Sequence, residues 1–177
     1  MTRICLSEPM YERIGADLAS IVPDVELVRL QPDGTYRGDP EGVEIFCFSV
    51  DLADNEDSLM QAGILLLADS LQWVQAPGAG MEHEIWGQLL ERGVRLSNAA
   101  GVHAEPIAQY VFTYVLNDLR QVDRHREMQA DRTWRSVVSD DLTSKSIGIV
   151  GMGGIGAAVA RIAKAFGEDP EGAVTCA

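Results

Sequence analysis

Lysine is the scarcest charge in this sequence. Lys145 and Lys164 are the only two, against 12 arginines and 27 acidic residues, and the formal net charge is −13 over 177 residues. The deficit is uneven: residues 1–100 hold 6 basic and 17 acidic groups, and residues 101–177 hold 8 and 10. So cation-poor a surface excludes a nucleic-acid partner and an anionic membrane surface, because both are held by neutralising phosphate charge. An acid excess with few lysines would suit a salt-rich cytosol, and plain solubility is the simpler reading.

Cysteine is nearly as rare. Cys5, Cys47 and Cys176 are odd in number and far apart, and the first two lie in apolar runs. They read as buried thiols, not as a disulfide framework. No Cys/His spacing matches a zinc site, so no metal centre is expected. No run is long and apolar enough to cross a bilayer, and the N-terminus lacks the apolar core of a signal peptide. Together these absences point to a reducing cytoplasm. Internal repeats, low-complexity segments, a nucleophile elbow and a lysine base are missing too.

What is present is an ordinary globular composition, 46% hydrophobic and 23% charged, in a chain long enough for one large domain or two small ones. Apolar runs at residues 3–7, 25–30, 43–50, 71–75 and 94–96 read as strands. Between them, residues 8–20 place Met10, Ile14 and Leu18 at helical spacing. Residues 56–68 place Leu59, Met60, Ile64, Leu65 and Leu67 on a broad buried face, and residues 82–92 place Ile85, Trp86, Leu89 and Leu90 on one side. Residues 31–42, rich in glycine and proline, read as loop. Strands alternating with helices predict a parallel α/β sheet.

The pattern then changes. Residues 103 to about 127 read as one long helix, with Ile107, Val111, Tyr114, Val115, Leu119 and Val122 at three- and four-residue steps and Pro106 in the first turn. It fits a core helix with a solvated end. It fits equally a helix that joins two domains or packs on a partner subunit. Residues 129–145 form a polar loop containing Trp134.

The most informative stretch follows. Ile147, Ile149 and Val150 form a short buried strand, Gly151, Gly153 and Gly156 fill the G-x-G-x-x-G pattern, and a helical apolar pattern runs on through Ala157, Val159, Ala160, Ile162, Ala163 and Phe166. In a dinucleotide site the first glycine makes the tight turn, the second admits the pyrophosphate and the third lets helix pack on strand. Free N–H groups at the helix start then hold the anion. The bland alternative is a glycine-rich turn that merely packs tightly.

Three stretches together resemble the D-isomer-specific 2-hydroxyacid dehydrogenase family: LQWVQAPGAGMEH (71–83), VRLSNAAGVHAEPIAQYV (94–111) and KSIGIVGMGGIGAAVARIAKAFG (145–167). Their wording is most similar to the glyoxylate and hydroxypyruvate reductase branch. The resemblance implies two α/β domains: a flavodoxin-like parallel-sheet substrate domain at 1–98, and from 99 the start of a Rossmann dinucleotide-binding domain. It implies that backbone N–H groups of Gly78, Ala79 and Gly80 hold the substrate carboxylate, with Ala79 also near the nicotinamide. It implies that Gly151, Gly153, Gly154, Ile155 and Gly156 hold the pyrophosphate of NAD or NADP. A glycine-flanked turn at a strand's carboxyl end is physically suited to an anion, as a nest of N–H groups, and a simple strand-to-helix turn is the other reading. The implied partners are a small 2-oxo or 2-hydroxy acid and a second copy of the chain, paired through the 103–127 helix.

Three departures from the family pattern stand out. Glu82 stands where Asp is usual, and Gln109 where Glu is frequent. The third concerns the family's catalytic Arg, Glu and His, which all follow the glycine motif. None is expected within these 177 residues, so the chain reads as truncated inside the nucleotide-binding domain. Residues 173–177 would begin its second strand, leaving Ile147, Ile149 and Val150 near a sheet edge. His83, His103 and His125 read as surface or helix-end histidines. The rival to an oxidoreductase is a catalytically inactive nucleotide-binding or dimerisation module. A methyltransferase-type cofactor at the glycine turn would leave 71–83 and 94–111 unexplained.

Overall fold

Ile4, Cys5, Leu6 and Ser7 are buried in succession, the mark of a strand covered on both faces. They end β1 (Thr2–Ser7), the strand around which the first part of the chain is built. The computed structural model describes residues 1–167 and 172–173. The chain divides into two compact units, Met1–Ala100 and Gly101–Ala177.

In the first unit, β1 leads into α1 (Glu8–Ile21), followed by β2 (Val25–Leu30), β3 (Tyr36–Arg37), β4 (Ile45–Cys47), a 3-10 turn (Val50–Asp54) and α2 (Glu56–Leu66). Then come β5 (Trp73–Gln75), α3 (Glu84–Glu91) and β6 (Arg95–Ser97). The sheet order is β3-β2-β1-β4-β5-β6. All pairings are parallel except β2 with β3. Leaving β3 aside, this is the flavodoxin-like order, and its switch point lies between β1 and β4. There the buried Ser49 hydroxyl donates to Ser7 Oγ at 2.9 Å, while Ser7 Oγ also caps α1 by accepting from the Met10 N–H.

The unit's core holds Cys5, Val28, Leu30, Phe46, Val74, Trp86 and Leu89, with the Phe46 and Phe48 rings 5.8 Å apart. Burial pushes the Cys5 thiol up to about 12, so it stays protonated, and raises that of Cys47 as well.

Several sequence expectations are corrected here. The 43–50 run gives only three residues of strand, because Ser49 turns the chain into the 3-10 helix. The 31–42 segment contains β3, which glycine and proline content concealed. The expected face of α2 is wrong: Leu59, Met60, Ile64 and Leu67 are exposed, and Ser58, Ala62, Leu65 and Leu66 are buried. Small residues bring α2 close to the preceding 3-10 turn, and Ser58 Oγ is satisfied by donating to the Leu52 and Asn55 carbonyls, each at 3.0 Å. On α3, Trp86 and Leu89 are buried but Leu90 is exposed.

The second unit contains α4 (Ala104–Leu119), α5 (Val122–Ala130), a 3-10 turn (Leu142–Ser144), β7 (Ile149–Val150), α6 (Gly154–Ala165) and β8 (Gly172–Ala173). The single helix expected over 103–127 is two helices. Gln121 takes a left-handed conformation (φ 51°), and its backbone N–H and side-chain amide both donate to the Asp118 carbonyl. That ends α4, and Asn117 donating to Asp123 at 2.8 Å ties the start of α5 to it.

Ala108 and Phe112 of α4 pack with Ile149, Ala158, Val159 and Ala163, and Phe112 stacks on Phe166 with centroids 5.5 Å apart. Ala157, expected in the apolar pattern of α6, is exposed. β7 is shorter than expected and buried on one side only: Ile149 faces the core while Val150 is 84% exposed. β8 pairs with β7 in parallel, making a β–α–β unit. The strand expected over 173–177 lies outside the described residues beyond Ala173.

Candidate functional site: a glycine turn and a strand-end loop

The three glycines of the motif do three separate jobs. Gly151 has φ +90°, a conformation side-chain-bearing residues rarely adopt. Gly156 is buried, and a Cβ there would overlap the Gly151 carbonyl oxygen, so helix and turn meet only because this residue has none. Gly153 is the opposite case. A Cβ there would meet nothing within 4 Å, so the missing side chain leaves open space at the helix start. Gly154 closes against Ala104, whose Cβ would lie 3.7 Å away.

No side chain caps α6, and its first turn carries no acid. By contrast α1, α2 and α3 are capped by Ser7, Asn55 and His83. The uncapped N–H groups of Gly154, Ile155 and Gly156 therefore combine with the positive end of the helix dipole to suit an anion. Open space at Gly153 and free donors beside it fit the pyrophosphate of a dinucleotide.

The loop after β5 is exposed through Gly78, Ala79 and Gly80. The Ala99 N–H donates to the Gly78 carbonyl and Asn98 Nδ2 to the Ala79 carbonyl, both at 3.0 Å. The carbonyls are thus turned inward and held. Neither glycine has a positive φ, so the alternating conformation of an anion nest is absent, a correction to that reading of the loop. The Glu82 carboxylate folds back on Gly80, where an added Cβ would collide with its Oε2. A cavity of about 460 Å³ lies beside the loop, lined by Met81, Trp86, Leu90, Leu96 and Asn98 among others.

The three histidines have separate settings. His83 caps α3, its Nδ1 accepting from the Ile85 N–H at 3.2 Å. His103 precedes α4 and caps it with no side-chain bond. His125, on α5, lines an open cavity of about 600 Å³ with Met128, Arg132, Trp134 and Arg135. Sequence reasoning missed this cavity. Its one signal was the pair of arginines flanking a tryptophan. Gln109 is exposed on α4. No three His, Cys, Asp or Glu side chains gather as a metal site among the described residues.

A flavodoxin-like unit followed by a glycine turn that opens a helix defines a two-unit α/β protein of the dinucleotide-binding kind. Comparison with known proteins makes this specific. The family model "D-isomer specific 2-hydroxyacid dehydrogenase, NAD binding domain" matches residues 112–170. A glyoxylate reductase of Korarchaeum cryptofilum is 33% identical over 61% of this chain and 34% of its own length. A D-3-phosphoglycerate dehydrogenase of Bacillus subtilis is 28% identical over 66% of this chain and 25% of its own. The crystal structure of a D-isomer-specific 2-hydroxyacid dehydrogenase family protein from Aeromonas salmonicida superposes with a TM-score of 0.70 at 27% identity, covering 97% of this chain and 52% of that one. Sequence and fold are thus both similar to those of D-isomer-specific 2-hydroxyacid dehydrogenases, and the NAD-binding match falls in the second unit. The chain spans about half the length of that solved relative, and about a third or less of the two curated ones.

Proposed function

We propose that these residues serve an oxidoreductase that moves hydride between NAD or NADP and a small 2-oxo or 2-hydroxy acid such as glyoxylate or hydroxypyruvate. The observation that carries the reading is the glycine turn: open space at Gly153 beside an uncapped helix start. The cofactor supplies the hydride when bound, and the protein supplies geometry and electrostatics. In this reading Met1–Ala100 is the substrate unit and Gly101–Ala177 carries the nucleotide unit. The N–H groups of Gly154, Ile155 and Gly156 hold the pyrophosphate. Those of Gly78, Ala79 and Gly80 hold the substrate carboxylate at a strand's carboxyl end. Free thiols at Cys5 and Cys47 suit a reducing cytoplasm.

None of the three histidines is placed as the acid/base group. His83 is engaged as a cap, and by the resemblance the proton-transferring residues follow the glycine turn. The 177-residue chain alone is therefore expected to bind NADH and to oxidise it with glyoxylate or hydroxypyruvate only at the background rate. Calorimetry and absorbance at the NADH band check the two halves. Robust NADH consumption would refute the assignment of proton transfer to residues outside this chain, and no NADH binding would refute the role of the glycine turn.

One observation favours adding self-association, which the inactive-module reading shares. Ala108 and Phe112 face the α6 side of α4, yet Ile107, Tyr110 and Tyr114 form a second, exposed apolar stripe. The Tyr110 and Tyr114 rings meet edge-on, 5.1 Å between centroids. We expect a homodimer through this stripe. Tyr110→Glu with Tyr114→Glu should halve the mass measured by light scattering at micromolar concentration. An unchanged mass would refute this surface as the interface.

A further inference from the structure

We infer that Glu82 makes the Gly78–Gly80 loop selective for 2-oxo acids bearing a single negative charge, and against those that carry a second anionic group such as a phosphate. The inference rests on the reading of that loop as the seat of the substrate carboxylate.

Three observations carry it. The Glu82 carboxylate lies against Gly80, so the loop has a fixed negative charge at its side before any substrate arrives. Nothing nearby in the sequence offsets that charge. Residues 38–91 contain 11 acidic residues and no lysine or arginine, and this segment supplies β4, α2, β5, the loop and α3. Three of the unit's other arginines are engaged elsewhere. Arg3 is paired with Glu26 and Asp39, Arg29 with Glu8, and Arg92 donates to the Leu66 and Ala68 carbonyls at the end of α2.

The loop therefore offers N–H dipoles, enough for one carboxylate, and its own segment supplies no cation for a second anionic group. Asn98 adds no free donor through the amide hydrogen already bound to the Ala79 carbonyl. Recognition of a phosphate ordinarily uses arginine or lysine, and the 38–91 segment that carries the loop holds neither. For a second anion on a loop-bound substrate we take a separation of about 6 Å from the Glu82 carboxylate, roughly the length of one such small acid. At effective dielectric constants of about 40–80 their repulsion weakens binding by about threefold to tenfold.

The test is a titration of the ¹⁵N-labelled full chain with hydroxypyruvate and with its 3-phosphate, following the amide signals of Gly78, Ala79 and Gly80. In the wild type the phosphorylated acid should bind at least about threefold more weakly. Glu82→Gln should close most of that gap, and Glu84→Gln, which removes the same charge two residues away, should leave it open. If the phosphorylated acid binds as tightly as hydroxypyruvate in the wild type, or if Glu82→Gln leaves the ratio unchanged, the inference is overturned while the carboxylate seat stands. If neither acid moves the three amides in the wild type or in either variant, the carboxylate seat itself is overturned, and the inference with it.

Discussion

Gly153→Ala and Gly156→Ala, three residues apart in one motif, should fail in opposite ways. At Gly156 an added methyl runs into the Gly151 carbonyl oxygen, and a backbone atom cannot swing aside as a flexible side chain can. Turn and helix must separate, which disturbs the packing of Ile149, Ala158 and Val159. Overpacking of this kind costs about 3 kcal/mol, a large share of a small unit's stability. Amides of α4 and α6 should lose hydrogen-exchange protection, and NADH binding should vanish with them. At Gly153 the backbone is extended (φ −72°, ψ −168°), a conformation alanine adopts freely, and the methyl enters open space. The fold should therefore be unchanged within about 0.5 kcal/mol. NADH affinity should still fall at least about tenfold, because the methyl occupies the volume where the pyrophosphate approaches. Retained NADH affinity in a well-folded Gly153→Ala protein would remove the pyrophosphate from this turn.

The second large effect is expected in the other unit. Phe46 is the largest of the fully buried side chains there, on β4, beside the switch point of the sheet. Its ring contacts that of Phe48, which in turn lies 6.5 Å from the Trp86 ring. Phe46→Ala removes the buried end of this row of three rings and leaves a cavity that short strands cannot close. The cost is about 3–5 kcal/mol. Thermal melting should show the first unit unfolding early, with amides of β1, β4 and β5 exchanging quickly while those of α4 and α6 keep their protection. Equal loss of protection in both sets of amides would contradict the division into two units.

How much of this was legible in the sequence depended on where the determining physics lies. Residues 25–30 alternate in hydrophobicity, and β2 has those bounds, because a half-covered strand writes its pattern directly into the chain. The glycine turn was legible in full: the need for positive φ at Gly151 and for close approach at Gly156 leaves no other residue as suitable. The buried face of α2 was not. Its interface uses Ser58 and Ala62, and counting large apolar residues pointed to the wrong side. The break at Gln121 was hidden as well, since no glycine or proline marks it and it depends on two donors converging on one carbonyl. In the strand-end loop, sequence located Gly78–Gly80. It could not reveal that their φ angles are ordinary or that Glu82 turns back on Gly80.

β3 has a consequence of a different kind. A parallel sheet that stopped at β2 would present six residues of unpaired backbone to any passing chain. Instead Tyr36 and Arg37 pair antiparallel with Leu30 and Arg29, and the chain then leaves the edge through Gly38 and Pro40. Two residues are too few to template a new strand, and the arginine and proline discourage docking further. The carboxyl end of β2 is in this way closed to growth, and another copy of the protein has only the four residues before it to dock against.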